Sequence, residues 1–397
     1  MPGSHTLRPV RPAAHPARFL ALYALAWAGG ATAYVPFLTV LLPPRVVELA
    51  GASAVDWLAY LAFTGALAAS GANILGGWIS DIMRSRIAPA LAGLAVYAIV
   101  TPLFGVITTL PMLLVAIALW QTALNFILAP VAALAADAVP DGRKGTLGGL
   151  LALAPAAGAL TGVLVTMRGM ADLPVRLLII DGLVVAMVLP LLLFARGLAW
   201  PARVPAEVPR DGERGGERLR PARMWLARLL VQISEATLFA FLYMWLQSLD
   251  SGFDDATAAR VFMAMLVAGI PVSLMVGRWS DRHGKPFDPL RILSACAAVG
   301  LTVMALAPSL PVALGGYALF SLVTSAFLSQ HSAQVLRVLP RASRRGRDLG
   351  YFNLTNTVPS LIMPWLAVGL LPHAGFAALF ALLATLAATA TVVLPRR

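Results

Sequence analysis

Glu235 is the one acidic residue in the apolar run 223–248, and Gln232 precedes it by a turn. It lies eleven residues into the run, about 16 Å from the end at 1.5 Å per residue. A carboxyl at that depth either takes up and releases a proton or stays satisfied by Gln232 or Ser234 and never titrates. The run 311–337 carries "SQHSAQ", with Gln330, His331 and Gln334. His331, about 9 Å from its run's end, is a second proton site, a partner for Glu235 or a helix-end hydrogen-bonder. Gln121 and Asn125, at i, i+4, either bind a solute or join two helices. Trp27 and Tyr34, seven apart with Pro36 beyond them, offer aromatic faces for a solute or for packing. Asn353 and Asn356, before Pro359, leave the same choice, and Asp181 either pairs with Arg176 or lies at the interface. No H-E-x-x-H, G-x-S-x-G or P-loop occurs, so an enzyme is not expected. The single cysteine, Cys296, excludes an internal disulfide, and no Cys/His cluster points to a metal or cofactor.

The elements that must position these residues are membrane spans. The 397 residues are 59% apolar and 12% charged, with a mean hydropathy of +0.81. Soluble domains carry roughly 25% charged residues, so the bilayer is the expected solvent. Twelve apolar runs near the 20 residues a spanning helix needs cover 18–42, 56–79, 88–108, 111–137, 145–167, 175–198, 223–248, 257–278, 289–308, 311–337, 349–370 and 373–394. Residues 1–17 read as a tail, and the run after them is too long for a signal-peptide core. The Pro-, Gly- and charge-rich segment 200–222 reads as a linker between six-span units 18–199 and 223–397.

Twelve spans place both termini on one side. That side, with the linker and the loops after even-numbered spans, holds 26 of the 30 basic residues; Arg45, Arg168, Arg176 and Arg260 lie opposite. The positive-inside rule makes the basic side cytoplasmic. The net charge of +12 therefore reflects topology, and no nucleic-acid partner is expected. No Arg or Lys lies in the middle of spans 1, 4 or 10, and Arg228 sits near the start of span 7, so a strongly anionic cargo is disfavoured.

Two charged loops interrupt this pattern. "GGWISDIMRSR" runs from Gly76 to Arg86 and "GRWSDRHGK" from Gly277 to Lys285. Gly77, Ser80 and Asp81 match Gly277, Ser280 and Asp281 at a shift of 200. A second echo joins "DAVPDGRKGTLGG" (137–149) to "LRVLPRASRRGRDLGY" (336–351), Pro140 matching Pro340. Such parallel repeats mark one transporter architecture. Gly277, Asp281, Arg282, Gly284 and Lys285 fit G-x-x-x-D-R-x-G-[RK], and the chain thereby resembles the major facilitator superfamily. The first copy keeps Gly77, Asp81 and Arg86 and departs at Ile82 and Arg84.

The resemblance implies an all-α membrane protein of twelve helices in two pseudo-symmetric six-helix bundles. Spans 1, 4, 7 and 10 would line a central cavity, giving Trp27, Tyr34, Gln121, Asn125, Gln232, Glu235, His331, Gln334 and Asn356 as substrate-binding candidates. Glu235 and His331 are the proton-coupling candidates. The loops would form the conformational gate: Gly77, Asp81, Arg84, Arg86, Asp137, Arg143, Gly277, Asp281, Arg282, Gly284 and Lys285. Asp81 would meet the start of span 11 near Asp348–Tyr351, with Arg84 or Arg86 contributing locally and Asp137 and Arg143 in a nearby network. Restoring the first copy at 82 and 84 would then shift the resting conformation. The expected function is secondary transport of a small neutral or weakly charged organic solute across a bacterial inner membrane by a proton-coupled monomer. The alternatives are a proton-driven multidrug or metabolite exporter, and a transport-dead sensor or membrane enzyme. Ala154-Pro155 in span 5 only partly fits the Gly-Pro motif of exporters.

Overall fold

The computed structural model describes residues 16–167, 172–196, 214–250, 255–339 and 344–395. The N-terminal tail to residue 15, linker residues 201–213, Arg168 and Pro340 lie outside the described residues. Span 1 is α1 (Pro16–Pro36), a π-helical turn (Phe37–Leu41) and α2 (Leu42–Ala50). Spans 2 to 4 are α3 (Ala54–Ile82), α4 (Ile87–Leu103) and α5 (Leu110–Ala138). Span 5 is split into α6 (Lys144–Leu151) and α7 (Leu153–Val165), and span 6 is α8 (Leu173–Ala195). Spans 7 to 10 are α9 (Arg214–Leu249), α10 (Asp255–His283), α11 (Asp288–Ala305) and α12 (Leu310–Val338). The long α13 (Arg345–Val393) holds spans 11 and 12, broken at Gly375, where φ is 69°. The last part of the expected linker, from Arg214, is already helical.

Among the described residues nine stretches are long and apolar enough to cross a membrane, and Ile87–Leu103 is a shorter apolar helix. The other two crossings are α9 and the first part of α13, where charged and amide side chains dilute the hydropathy. Those side chains belong to the sites described below.

Prolines explain the two interrupted spans. A proline has no N–H to give the carbonyl four residues back. Pro36, Pro43 and Pro44 bracket the π turn of span 1, a geometry common at hinges. Pro155 deprives Leu151, and span 5 breaks between Leu151 and Leu153.

Each half has its own core, and Leu336 and Leu349 of the second half pack into that of the first. In the first, Phe37 meets Phe104 and Trp120 with ring centroids 4.6 and 4.7 Å away, tying spans 1, 3 and 4. In the second, Trp245 and Phe380 make an edge contact at 4.6 Å that joins spans 7 and 12. Between halves, α3 packs on α13 and α6 packs on α10 and α12. These seams start at the end carrying the signature loops, here termed the basic end. One runs from Gly77 against Gly346, through Ile74 against Gly350, to a 2.9 Å hydrogen bond between the hydroxyls of Ser70 and Thr357. The other brings Gly145 against Gly277, Gly149 against Leu274 and Gly148 against Ser329 and Gln330. At the other end α2 packs on α3 and α5 of its own half.

Candidate functional site: two locks and a polar face

The signature loops make two equivalent locks. Asp81, at the end of α3, accepts hydrogen bonds from the backbone N–H groups of Gly346 (3.2 Å) and Arg347 (3.0 Å) in the first turn of α13. Asp281, near the end of α10, accepts from the N–H of Gly145 (2.8 Å) and of Thr146 (2.7 Å), and from the Thr146 hydroxyl (2.9 Å), in the first turn of α6. The first N–H groups of a helix have no intrahelical acceptor and sit at the positive end of its dipole. A carboxylate from the opposite half satisfies both needs, so each half caps a helix of the other. Gly77 and Gly277 make this possible. A Cβ on either would overlap the backbone of Gly346 or Gly145 respectively.

The charges around the locks differ between halves. Arg86 is 3% exposed and donates to Asp81 (2.5 Å), Asp137 (2.9 Å) and the Ser80 hydroxyl (2.6 Å). Asp137 also pairs with Arg345 of the other half at 3.0 Å. In the second half Arg337 stands where the repeat has Asp137, and it lies 3.7 Å from Asp281. The expected Asp137–Arg143 network is corrected accordingly. Arg143 is exposed, while Arg86 reaches Asp137 from a buried position and Arg345 from a half-buried one. Asp81 meets Gly346 and Arg347, one to two residues ahead of the expected stretch; Asp348 instead pairs with Arg347 at 2.9 Å.

Arg84 is exposed and takes φ of 48°, matching the 61° of Gly284 in the second copy. Ile82 is 61% exposed, and Arg282 is exposed as well. Lys285 and Asp288 form a solvent-exposed pair at 3.9 Å. The drift at 82 and 84 therefore lies outside the cross-half contacts, and its restoration bears on stability more than on conformation. Arg84→Gly removes a left-handed side-chain conformation that costs about 1–2 kcal/mol, partly offset by the greater unfolded-state freedom of glycine. The expected net gain is about 0.5–1 kcal/mol, read as a higher Tm of the purified protein.

Above the basic end, α9, α12 and α13 present a polar face. Gln232 donates to Glu235 at 2.8 Å, as its spacing predicts. Arg228 donates to the Leu328 carbonyl (3.1 Å), the Ser332 hydroxyl (2.9 Å), Asn356 Oδ1 (3.2 Å) and His331 Nδ1 (3.5 Å). Asn356 donates in turn to Asn353 at 2.7 Å. Asn356 is ten residues, about 15 Å, along α13 from the Asp81 lock. Arg228 thus reaches from α9 to both α12 and α13. One sequence signal points to it. Arg228 and Glu235 are seven apart, and at a shift of 201 they overlie Trp27 and Tyr34.

The remaining candidates divide by partner. His331 is fully buried and its Nε2 lies 2.9 Å from the Met224 carbonyl. A carbonyl only accepts, so Nε2 carries the hydrogen and Nδ1 is left to accept from Arg228. His331 is not paired with Glu235, and a second proton on Nδ1 would point at a guanidinium. His331 thus lies between Arg228 and the Met224 carbonyl. Asn125, 5% exposed, donates to the Gln121 carbonyl (2.9 Å) and accepts from Asn73 (2.9 Å), which makes it a clamp between α5 and α3. Gln121 packs against Gly65 on the same seam. Gln334 is fully buried, and Gln330 donates to the carbonyls of Gly145 (3.1 Å) and Ser273 (3.0 Å), so both belong to the closed basic end and not to an open wall. Trp27 is partly buried and stacks on Tyr23 at 6.1 Å between ring centroids, while Tyr34 is 40% exposed on α1. Asp181 is 9% exposed and its Oδ1 has no hydrogen-bond partner among the described residues. The described residues contain no group of three or more His, Cys, Asp or Glu placed to hold a metal ion.

No curated protein matches the chain in sequence. Residues 224–397 match the family model described as Major Facilitator Superfamily. The whole fold superposes on solved members. A bacterial homologue of the iron transporter ferroportin, outward-facing, gives a TM-score of 0.71 at 19% identity, covering 95% of this chain and 98% of that one. The human organic anion transporter TETRAN gives 0.74 at 14% identity, covering 97% and 100%. The Escherichia coli fucose:proton symporter gives 0.72 at 15% identity, covering 94% and 97%. Residues 224–397 thus carry the sequence pattern of that superfamily, and the whole chain shares the fold of these solved transporters. Its long apolar helices are those of a multi-pass membrane protein, and their arrangement is the twelve-helix fold of the transporters it superposes on. The two locks lie on the seams where α3 meets α13 and where α6 meets α10 and α12.

Proposed function

We propose that this protein is a secondary active carrier, moving a small organic solute by alternating access and coupled to protons through Glu235. The observation that carries the reading is the pair of equivalent locks. Each consists of a carboxylate on helix-end N–H groups of the other half, and both lie at the same end. Hydrogen bonds to backbone N–H groups can be exchanged for water, so both locks can open without leaving a buried group unpaired. Rocking of 18–199 against 223–397 would then expose the polar face alternately to each side. The basic end is cytoplasmic in this reading, in a bacterial inner membrane, and one chain suffices. Glu235 suits the coupling role because it is half-buried, held by the neutral amide of Gln232, and outside any ion pair among the described residues.

Glu235→Gln tests the coupling. The amide keeps the shape and the hydrogen bond to Gln232 and cannot carry a proton. The expected outcome in proteoliposomes is intact solute counterflow with pH-driven accumulation abolished. Accumulation equal to that of the unmodified protein would refute the role.

A further inference from the structure

Arg228 is a full positive charge held inside the membrane-spanning part of the molecule by neutral groups. Its four contacts are a carbonyl, a hydroxyl, an amide oxygen and a neutral imidazole nitrogen. None is an anion, and a guanidinium taken out of water is poorly served without one. The carboxylate in electrostatic range is Glu235, on the same helix and seven residues on, about 10.5 Å of rise away. The group faces an open region. Asn356, which it touches, is exposed on α13 between the stripe that meets α3 (Gly346, Gly350, Thr357) and Phe352, which packs into its own half. Across from it on α1, Tyr34 is also exposed and within electrostatic range of Glu235.

We propose that Arg228 docks the carboxylate of a small organic monoanion or zwitterion, and that Glu235 exchanges its own charge for that of the cargo. The proposal rests on the reading of the chain as a proton-coupled carrier. A guanidinium presents a planar fork that matches a carboxylate with two parallel hydrogen bonds. One cation on the face takes one carboxylate; a dicarboxylate or phosphate ester would bring a second negative charge with no second cation. In the empty site ionised Glu235 balances Arg228. With a cargo carboxylate on Arg228 two anions face one cation, and Glu235 takes up a proton. Arg228, Glu235 and the cargo group then sum to zero, as do Arg228 and Glu235 alone, so one proton moves with each carboxylate. The other titratable groups near these charges are Tyr34 on α1, His331 on α12 and Tyr317, buried in the core on α12, while α13 brings the neutral amides of Asn353 and Asn356. His331 is fixed as the neutral donor to Met224, which leaves Glu235 as the group that exchanges.

The test is thermal stabilisation of the full-length protein in detergent at pH 6 and pH 8. The probes are lactate, benzoate, gluconate and alanine, each against its own amide. At least one carboxylate is expected to raise Tm where its amide does not. Its Kd should weaken about 30-fold or more in Arg228→Gln and about tenfold in Arg228→Lys, which keeps the charge and loses the fork. The lysine variant guards against a folding defect, since its unliganded Tm should stay close to that of the parent protein. Carboxylate affinity should rise from pH 8 to pH 6, and in Glu235→Gln it should be tight and flat. The proposal is overturned if no carboxylate stabilises the protein beyond its amide, or if Arg228→Gln binds as the parent does. Carboxylate binding that needs Arg228 but ignores pH overturns the exchange with Glu235. Neutral solutes bound without Arg228, together with pH-driven accumulation lost in Glu235→Gln, would remove this site and leave the proton-coupled reading standing.

Discussion

Arg86→Gln is expected to lower the stability of the protein by about 3–5 kcal/mol, the range for breaking a buried ion pair from one side. Arg86 stands between Asp81 and Asp137, all three nearly out of contact with solvent. Without it two buried carboxylates face each other, and Arg345, more exposed and across the seam, is the remaining cation on Asp137. The measurement is urea or thermal unfolding in detergent, with the double variant Arg86→Gln/Asp137→Asn beside it. Removing the second acid removes the uncompensated charge, so the double variant should recover more than half of the loss. Equal destabilisation of single and double variants would show that Arg86 acts by packing and not by charge. The second half gives the control. Arg337 is 3.7 Å from Asp281 and more exposed, and Arg337→Gln is expected to cost about 1 kcal/mol or less.

Gly77→Ala should force the basic end open. The added Cβ would overlap the backbone of Gly346, and a backbone atom cannot rotate out of the way as a side chain can. Overpacking of this kind costs about 1–3 kcal/mol, levied only on the state in which α3 and α13 are in contact. The ratio of open to closed forms should rise about five- to 150-fold. Ser273 is fully buried on the other seam and provides the reporter. With Cys296 replaced by alanine, a cysteine introduced by Ser273→Cys should react faster with an impermeant maleimide from the basic side once Gly77→Ala is added. If the halves move as rigid bodies, opening one seam opens both. An unchanged labelling rate would mean that the seams open independently or that the glycine contact is not part of the gate.

What could be read in the sequence follows from the bilayer. A spanning helix must satisfy its own backbone and cover about 30 Å with apolar side chains, so span number appears directly as runs. The repeat and the loop signature are also local, and they led to the two aspartates and two glycines of the locks. Glu235 with Gln232 was legible because partners one turn apart share a helix face whatever surrounds them.

The tertiary structure decided the rest because the remaining contacts join residues far apart in the chain. Asp81 meets Arg347 across 266 positions and Lys144 meets Leu336 across 192. Periodicity gives no angle of a membrane helix about its own axis when apolar residues surround it on every side. Asn125 therefore looked as able to bind solute as to clamp helices until Asn73 was beside it. His331 read equally as a proton site, a partner for Glu235 or a helix-end hydrogen-bonder until Met224 and Arg228 lay against its ring nitrogens. Nothing along α9 itself shows that the guanidinium of Arg228 lies against Asn356. The sequence determined how many helices cross and where charge interrupts them. Which charges share a space was decided by packing, through contacts that no spacing along one helix encodes.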